Sequence, residues 1–304
     1  MIVFVAPGQG SQTPGFLEPW LADPGARELV DEWSQLIEVD LVTHGTVSDA
    51  ETIRDTAIAQ PLIVAAGLLT ARALRQAGAS LGAVAGHSVG EVTAAAIAGI
   101  LSEQDALRLV RIRADAMADA AAQTPTGMSA VLGTDPDAVV EHITALGLEP
   151  ANYNGGGQIV VAGALDALAQ LAEQPLRGTR VVPLQVAGAF HSRYMAPARE
   201  ALRQAASDFT PADPQLAIWT NKDGSKVTSG AEFLDLIVGQ VASPVRWDLD
   251  MQAFADAGVT GLVELAPAGA LTGLAKRGLK GTSTVGIKTP DDIPAALELI
   301  GGAA

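Results

Sequence analysis

Residues 85–91 read Ala85-Gly86-His87-Ser88-Val89-Gly90-Glu91, a Gly-x-Ser-x-Gly core. An apolar run at 81–85 precedes it and predicts a strand. The alanine-rich stretch 92–101 follows and predicts a helix. Strand, sharp turn and helix form the context of a nucleophile elbow. Gly86 and Gly90 lack the Cβ atoms that would collide where a strand turns directly into a helix. Such a turn lifts the Ser88 hydroxyl off the sheet edge. It also aims the free N–H groups of the new helix at the same point. The competing reading is a tight βα turn with an idle serine.

Working outward, the chain has 304 residues, 48% of them apolar and 17% charged, so a large core is within reach. The formal net charge of −15 argues against general nucleic-acid binding. There are no cysteines, which excludes disulfides, a thiol nucleophile and cysteine metal sites and fits a reducing cytoplasm. Residues 1–6 are apolar but carry no basic flank, so they predict a strand and not a signal peptide. No uninterrupted apolar run approaches the roughly 18 residues of a membrane span.

Strand 1–6 runs into Pro7-Gly8-Gln9-Gly10-Ser11-Gln12, a loop whose peptide N–H groups can act as donors. It is not a dinucleotide fingerprint, because Thr13 stands where the third glycine would be. A helix is expected over 23–37, and a polar connector or short helix over 49–57. Pro61 suits the first turn of an apolar helix ending near 77, and Gly78 closes it. Ser102, with Asp105 three residues on, starts a helix to about 122. From 127 the pattern becomes strand 128–132, helix 136–146, strands 150–154 and 158–162, helix 165–173 and strand 180–186. This βαββαβ order is that of a ferredoxin-like unit. Strands at 216–220, 259–265 and 284–287 alternate with helices at 231–240, 247–257, 270–278 and 291–299. That alternation implies a mainly parallel sheet covered on both faces.

Two further residues stand out. On the wheel of helix 102–122, Arg113 falls among Ala106, Leu109, Val110, Ala116, Met117 and Ala120. A guanidinium is costly to bury unpaired. Its anion is either a carboxylate elsewhere in the chain or one that arrives with a substrate. His191 lies where the chain returns from the small unit, just after a strand and near a helix start. It is the best candidate base among the four histidines, the alternative being a hinge histidine. His44 and His142 read as surface or packing residues. The side chain of His87, next to Ser88, is expected to point elsewhere.

Taken together, Gly8-Gln9-Gly10-Ser11-Gln12, Gly86-His87-Ser88-Val89-Gly90-Glu91, Arg113, Gly188-Ala189-Phe190-His191 and the 240–247 stretch Gln-Val-Ala-Ser-Pro-Val-Arg-Trp resemble the malonyl-CoA:acyl-carrier-protein transacylases. The match spans nearly the whole length and looks like the stand-alone enzyme. The resemblance implies an α/β fold: a large hydrolase-like domain at 1–123 and 188–304, with a mainly parallel sheet flanked by helices, and an inserted ferredoxin-like domain at 124–187. It implies Ser88 as nucleophile, His191 as base and later acid, and a Gln240 backbone carbonyl orienting the imidazole. It places the oxyanion hole at the backbone N–H groups of Gln9 and Val89. The latter also follows from elbow geometry. Arg113 would clasp the malonate carboxylate, with Met117, Phe190, Asn154 and Gln60 around the acyl group. The sequence has Val89 where other members carry Leu or Ile; only its N–H is needed. Phe190 is similar to malonyl-selective members.

The implied reaction is malonyl transfer from CoA to the phosphopantetheine thiol of acyl carrier protein through a malonyl-serine. It serves fatty acid synthesis, or a polyketide route, in the cytoplasm, and no cofactor or metal is expected. The partners implied are malonyl-CoA and the carrier protein, with neither nucleic acid nor membrane, and a monomer is expected. Because protein, CoA and carrier are all acidic, a local basic patch is expected at Lys276, Arg277 and Lys280, with Arg111 or Lys222 as additions. The other reading of that patch is a helix C-terminus complementing its dipole. Rival functions are a serine hydrolase such as a patatin-like esterase, a malonate-decarboxylase transacylase subunit, and a catalytically dead binding module.

Overall fold

The computed structural model describes residues 1–133 and 135–302; residue 134 and the end of the expected 188–304 segment, 303–304, lie outside the described residues. Among the described residues the strands are β1 (Ile2–Ala6), β2 (Ala83–Gly86), β3 (Thr126–Leu132), β4 (Glu149–Gly155), β5 (Gln158–Ala164), β6 (Arg180–Pro183), β7 (Ala217–Trp219), β8 (Lys226–Val227), β9 (Gly261–Glu264) and β10 (Ser283–Gly286). They form a six-stranded sheet in the order β10-β9-β1-β2-β7-β8 and a four-stranded sheet in the order β4-β5-β3-β6. The large sheet is parallel except at its β7–β8 edge.

The apolar run at the N-terminus is explained by burial on both faces. Ile2, Phe4 and Ala6 enter one core with Trp33, Leu62 and Val84, while Val3 and Val5 enter a second with Ala83, Trp219, Trp247 and Phe254. This is the two-residue alternation of a strand with helices packed on either side. Residue Phe4 pairs with Val84, so the elbow loop leaves the sheet beside the Gly8–Gln12 loop.

The four-stranded sheet is antiparallel and interleaves with helices Pro136–Ala145 and Leu165–Glu173, as the ferredoxin-like order requires. It has its own core of Val131, Val139, Ile143 and Leu171. Strand β4 is tied to the large unit through Val245. The Tyr153 N–H donates to the Val245 carbonyl (2.8 Å) and the Val245 N–H to the Ala151 carbonyl (2.9 Å). The late stretch that looked like a family motif thus seats the small sheet over the elbow.

Some expectations need correction. The helix containing Pro61 runs Thr56–Gln76, so Pro61 sits inside it and not in its first turn. Asp55 caps the true start by accepting the Ala57 N–H at 2.9 Å. By length and composition that helix could cross a membrane, but it holds no uninterrupted apolar run of that length and 78% of its most apolar window is buried inside the fold. A helix at Leu41–Thr46, capped by Asp40, was not anticipated.

Candidate active site

The elbow forms as the glycines require. A Cβ on Gly86 would come within 2.0 Å of the Gly90 backbone, and one on Gly90 within 2.1 Å of the Ala6 carbonyl oxygen. Ser88 is held at φ 54°, in the left-handed region that non-glycine residues rarely occupy. Its backbone is gripped from both sides. The Ser88 N–H donates to Asn221 Oδ1 (2.8 Å), and the Ser88 carbonyl accepts from Gln240 Nε2 (3.1 Å).

His191 is held at φ 58°, also left-handed. Its Nδ1 faces the Gln240 carbonyl at 2.8 Å and its Nε2 faces Ser88 Oγ at 2.7 Å. A carbonyl only accepts, so it fixes the proton on Nδ1 and leaves Nε2 free to take the serine proton. Among the described residues no carboxylate completes a triad. Burial, and then the nearby Arg113 charge, lower the His191 pKa to about 3, so the imidazole is neutral at physiological pH.

Arg113 is 1% exposed. Its Nη2 donates to Gln240 Oε1 (2.8 Å) and lies 3.3 Å from Ser88 Oγ, while Nη1 donates to Gln60 Oε1 (2.5 Å). Nε has no partner among the described residues. Nor does Arg113 take part in any side-chain ion pair there. Neutral amide oxygens orient the cation without neutralising it. Burial lowers its pKa to about 10, so it stays charged.

Ser88, His191, Arg113, Gln9, Val89, Met117, Phe190, Asn154 and Gln60 all line one cavity of about 470 Å³. Its floor is the elbow, and its far wall comes from the small sheet through Met128, Ala130 and Val160. The N–H groups of Gln9 and Val89 have no backbone partner among the described residues. Gln240 lies behind the cavity. His87 turns to Asn154 Oδ1 (2.8 Å) and away from the serine, but it still walls the cavity. His44 and His142 lie elsewhere, half-buried against Ser48 and the Gln174 carbonyl.

Of the basic residues, Arg277 lines the cavity, with Lys276 and Lys280 exposed beside it. Arg111 is instead paired with Asp115 at 2.8 Å, and Lys222 lines a separate cleft with Arg246.

The sequence reading missed a buried polar network beneath the elbow. Asn221 uses its whole amide: Oδ1 accepts from Ser88, and Nδ2 donates to the Gly86 carbonyl (2.7 Å) and to Asp250 Oδ2 (2.8 Å). Glu91 accepts the Asn221 N–H (2.7 Å) on one oxygen and Gln240 Nε2 on the other. Burial pushes Glu91 up to about 7. Burial, followed by the Glu91 charge, pushes Asp250 well above the carboxylate range. One signal was available. Asp250 sits on the apolar stripe of Trp247, Met251 and Phe254, as conspicuous there as Arg113 on its own helix.

A half-buried serine on an elbow facing the cavity, a carbonyl-oriented histidine and N–H donors without a backbone partner are the parts that acyl transfer through a serine calls for. The acyl transferase domain family matches residues 3–295. The malonyl CoA-acyl carrier protein transacylase of Mycobacterium tuberculosis (strain ATCC 25618 / H37Rv) is 48% identical, across 96% of this chain and 98% of its own. The crystal structure of MCAT from M. tuberculosis superposes with a TM-score of 0.93 at 48% identity, covering 99% of both chains. A malonyl-transacylase solved in complex with its type II PKS acyl-carrier protein gives 0.92 at 28% identity, covering 98% of this chain and 99% of that one. The chain therefore belongs to the acyl transferase domain family, within its malonyl CoA-acyl carrier protein transacylase branch.

Proposed function

We propose that the protein transfers malonyl from malonyl-CoA to the phosphopantetheine thiol of an acyl carrier protein by a ping-pong route. The observation that carries this reading is Arg113 Nη2 lying 3.3 Å from Ser88 Oγ with, among the described residues, no carboxylate on the guanidinium. A malonyl ester on Ser88 extends only two bonds past its carbonyl before reaching a carboxylate, within range of that cation. The names of its relatives supply the same donor and acceptor.

In the first half-reaction Ser88 Oγ attacks the thioester carbonyl as His191 Nε2 takes its proton. The oxyanion is received by the N–H groups of Gln9 and Val89. The C–S bond breaks, His191 returns the proton to the CoA sulfur, and malonyl-Ser88 remains. In the second half the carrier thiol gives its proton to His191 and attacks the ester. The C–O bond breaks and Ser88 recovers the proton. The Gln240 carbonyl steadies the imidazole throughout.

Arg113 grips the carboxylate bidentately, turning the ester carbonyl into the oxyanion hole and filling the space water would use. Gln60 Oε1 holds the other side of that guanidinium, and Gln60 is set in turn by Met117, whose Sδ lies 3.4 Å from Gln60 Nε2. Phe190, buried against the cavity, occupies the room an α-methyl would need. That is worth about 1–3 kcal/mol of discrimination. Asn154, set by His87, meets the thioester arm. Lys276, Arg277 and Lys280 receive the anionic donor and carrier.

We take 1–123 and 188–304 as one domain with 124–187 inserted, and a cytoplasmic enzyme that uses no cofactor. The test is to incubate the protein with malonyl-CoA and holo carrier protein and weigh the products. Malonyl-carrier and a malonylated protein absent from Ser88→Ala support the reading. Free malonate as the main product favours a hydrolase.

A further inference from the structure

The side-chain amide of Gln240 lies between a cation and an anion. Its oxygen accepts from Arg113 Nη2 at 2.8 Å, and its nitrogen donates to Glu91 Oε2. A guanidinium only donates and a carboxylate only accepts, so one orientation of the amide satisfies both. Glu91 is itself fixed, because its other oxygen takes the backbone N–H of Asn221 at 2.7 Å, a donor that cannot turn. Glu91 is 1% exposed and does not line the cavity, so it touches no substrate. Nor does it form an ion pair with Arg113.

We propose that Glu91 is a positioning residue for acyl selection: its carboxylate locks Gln240 in the orientation that offers an oxygen, and not an NH2, to Arg113. This rests on the reading above, in which Arg113 holds the acyl carboxylate. The relay needs a group with two acceptors. A glutamine at 91 has one. Its oxygen is claimed by the Asn221 N–H, so its NH2 meets the NH2 of Gln240. Relief comes only if the Gln240 amide flips, which turns N–H groups toward the guanidinium and displaces it. The Gln240 NH2 also reaches the Ser88 carbonyl and Asn221 Oδ1, both at 3.1 Å. Losing those contacts affects every acyl donor alike and cancels when two donors are compared.

The test compares acylation of Ser88 by malonyl-CoA and acetyl-CoA at about pH 8, above the Glu91 pKa of about 7 so that its carboxylate is mainly ionised, read by intact mass against time. Four proteins are used: wild type, Glu91→Gln, Gln240→Met and the double variant. Gln240→Met keeps the backbone carbonyl that orients His191. In the wild-type background Glu91→Gln is expected to lower the malonyl-to-acetyl ratio of kcat/KM about tenfold or more. In the Gln240→Met background, where no amide remains to flip, the same change is expected to move the ratio less than about twofold. Equal loss for both donors, or the same effect in both backgrounds, overturns the proposal.

If the single variant does not fold, the double variant against Gln240→Met still decides. It lacks the clash of donors, and a further drop in the ratio beyond about threefold contradicts the relay. Wild type that takes no malonyl at all removes the proposed function first, and this inference with it. Wild type that is malonylated while Glu91→Gln keeps its ratio removes only the inference.

Discussion

Ser88 Oγ and His191 Nε2 stand 2.7 Å apart, and both residues hold left-handed backbones, at φ 54° and 58°. Two strained residues from separate parts of the chain meet because each is anchored by hydrogen bonds to others, above all Gln240 and Asn221. Strain of this kind persists only where the surroundings over-determine it.

The low pKa of His191, about 3, makes a kinetic statement. Labelling of Ser88 by a fluorophosphonate needs the neutral imidazole but not a malonyl carboxylate. Its rate is expected to stay nearly flat from about pH 8 down to about pH 5, well below an ordinary histidine midpoint. Burial is the larger cause and the Arg113 charge the second. Arg113→Gln is therefore expected to move the acid limb to higher pH. A wild-type limb centred near about pH 6.5 contradicts this.

Glu91 ties the site to stability. Its folded pKa of about 7 lies above its ordinary value of 4.5. Between the two, the folded chain holds a proton that the unfolded chain has released, so this group's contribution to stability falls as pH rises. Glu91→Gln removes that slope. The variant is expected to gain on wild type between about pH 5 and about pH 8, by on the order of 3 kcal/mol at most. Denaturant midpoints across that range measure it. A constant difference contradicts a buried, titrating Glu91.

Gly86 and Gly90 are expected to tolerate no side chain. The close contacts a Cβ would make are with backbone atoms, which cannot rotate away. Gly90→Ala is expected to lower Tm by several degrees or prevent soluble expression, and to abolish fluorophosphonate labelling of any folded protein. Wild-type Tm and labelling contradict the steric reading of the elbow.

Charge reversal at Lys276 and Arg277 is expected to raise KM for the carrier protein several-fold with kcat little changed, and the effect should shrink at high salt. An unchanged KM leaves these residues as a helix end complementing its dipole.

Much of this was legible in the chain. Ser88, Arg113 and His191 could be read because each breaks a local rule: a serine framed by glycines, a cation on an apolar stripe, a histidine at a chain crossing. The ferredoxin-like unit could be read from the order of its periods. The Glu91–Asn221–Asp250 network could not, because its members lie 130 and 29 residues apart and meet only after β2 and β7 pair. Asn221 opens the run Asn221-Lys222-Asp223-Gly224, whose residue types suit a turn, and nothing local betrays that its amide holds Ser88. The start at Thr56 was obscured by Pro61, whose preference for a first turn is a statistical habit that the Asp55 cap overrides.

The central claim is that Arg113 holds the carboxylate of the acyl group while Ser88 holds its other end. Arg113→Ala, assayed with malonyl-CoA and acetyl-CoA side by side, tests it most directly. The expected result is a malonyl-to-acetyl ratio of kcat/KM lowered by about 100-fold or more. An equal loss with both donors would contradict it.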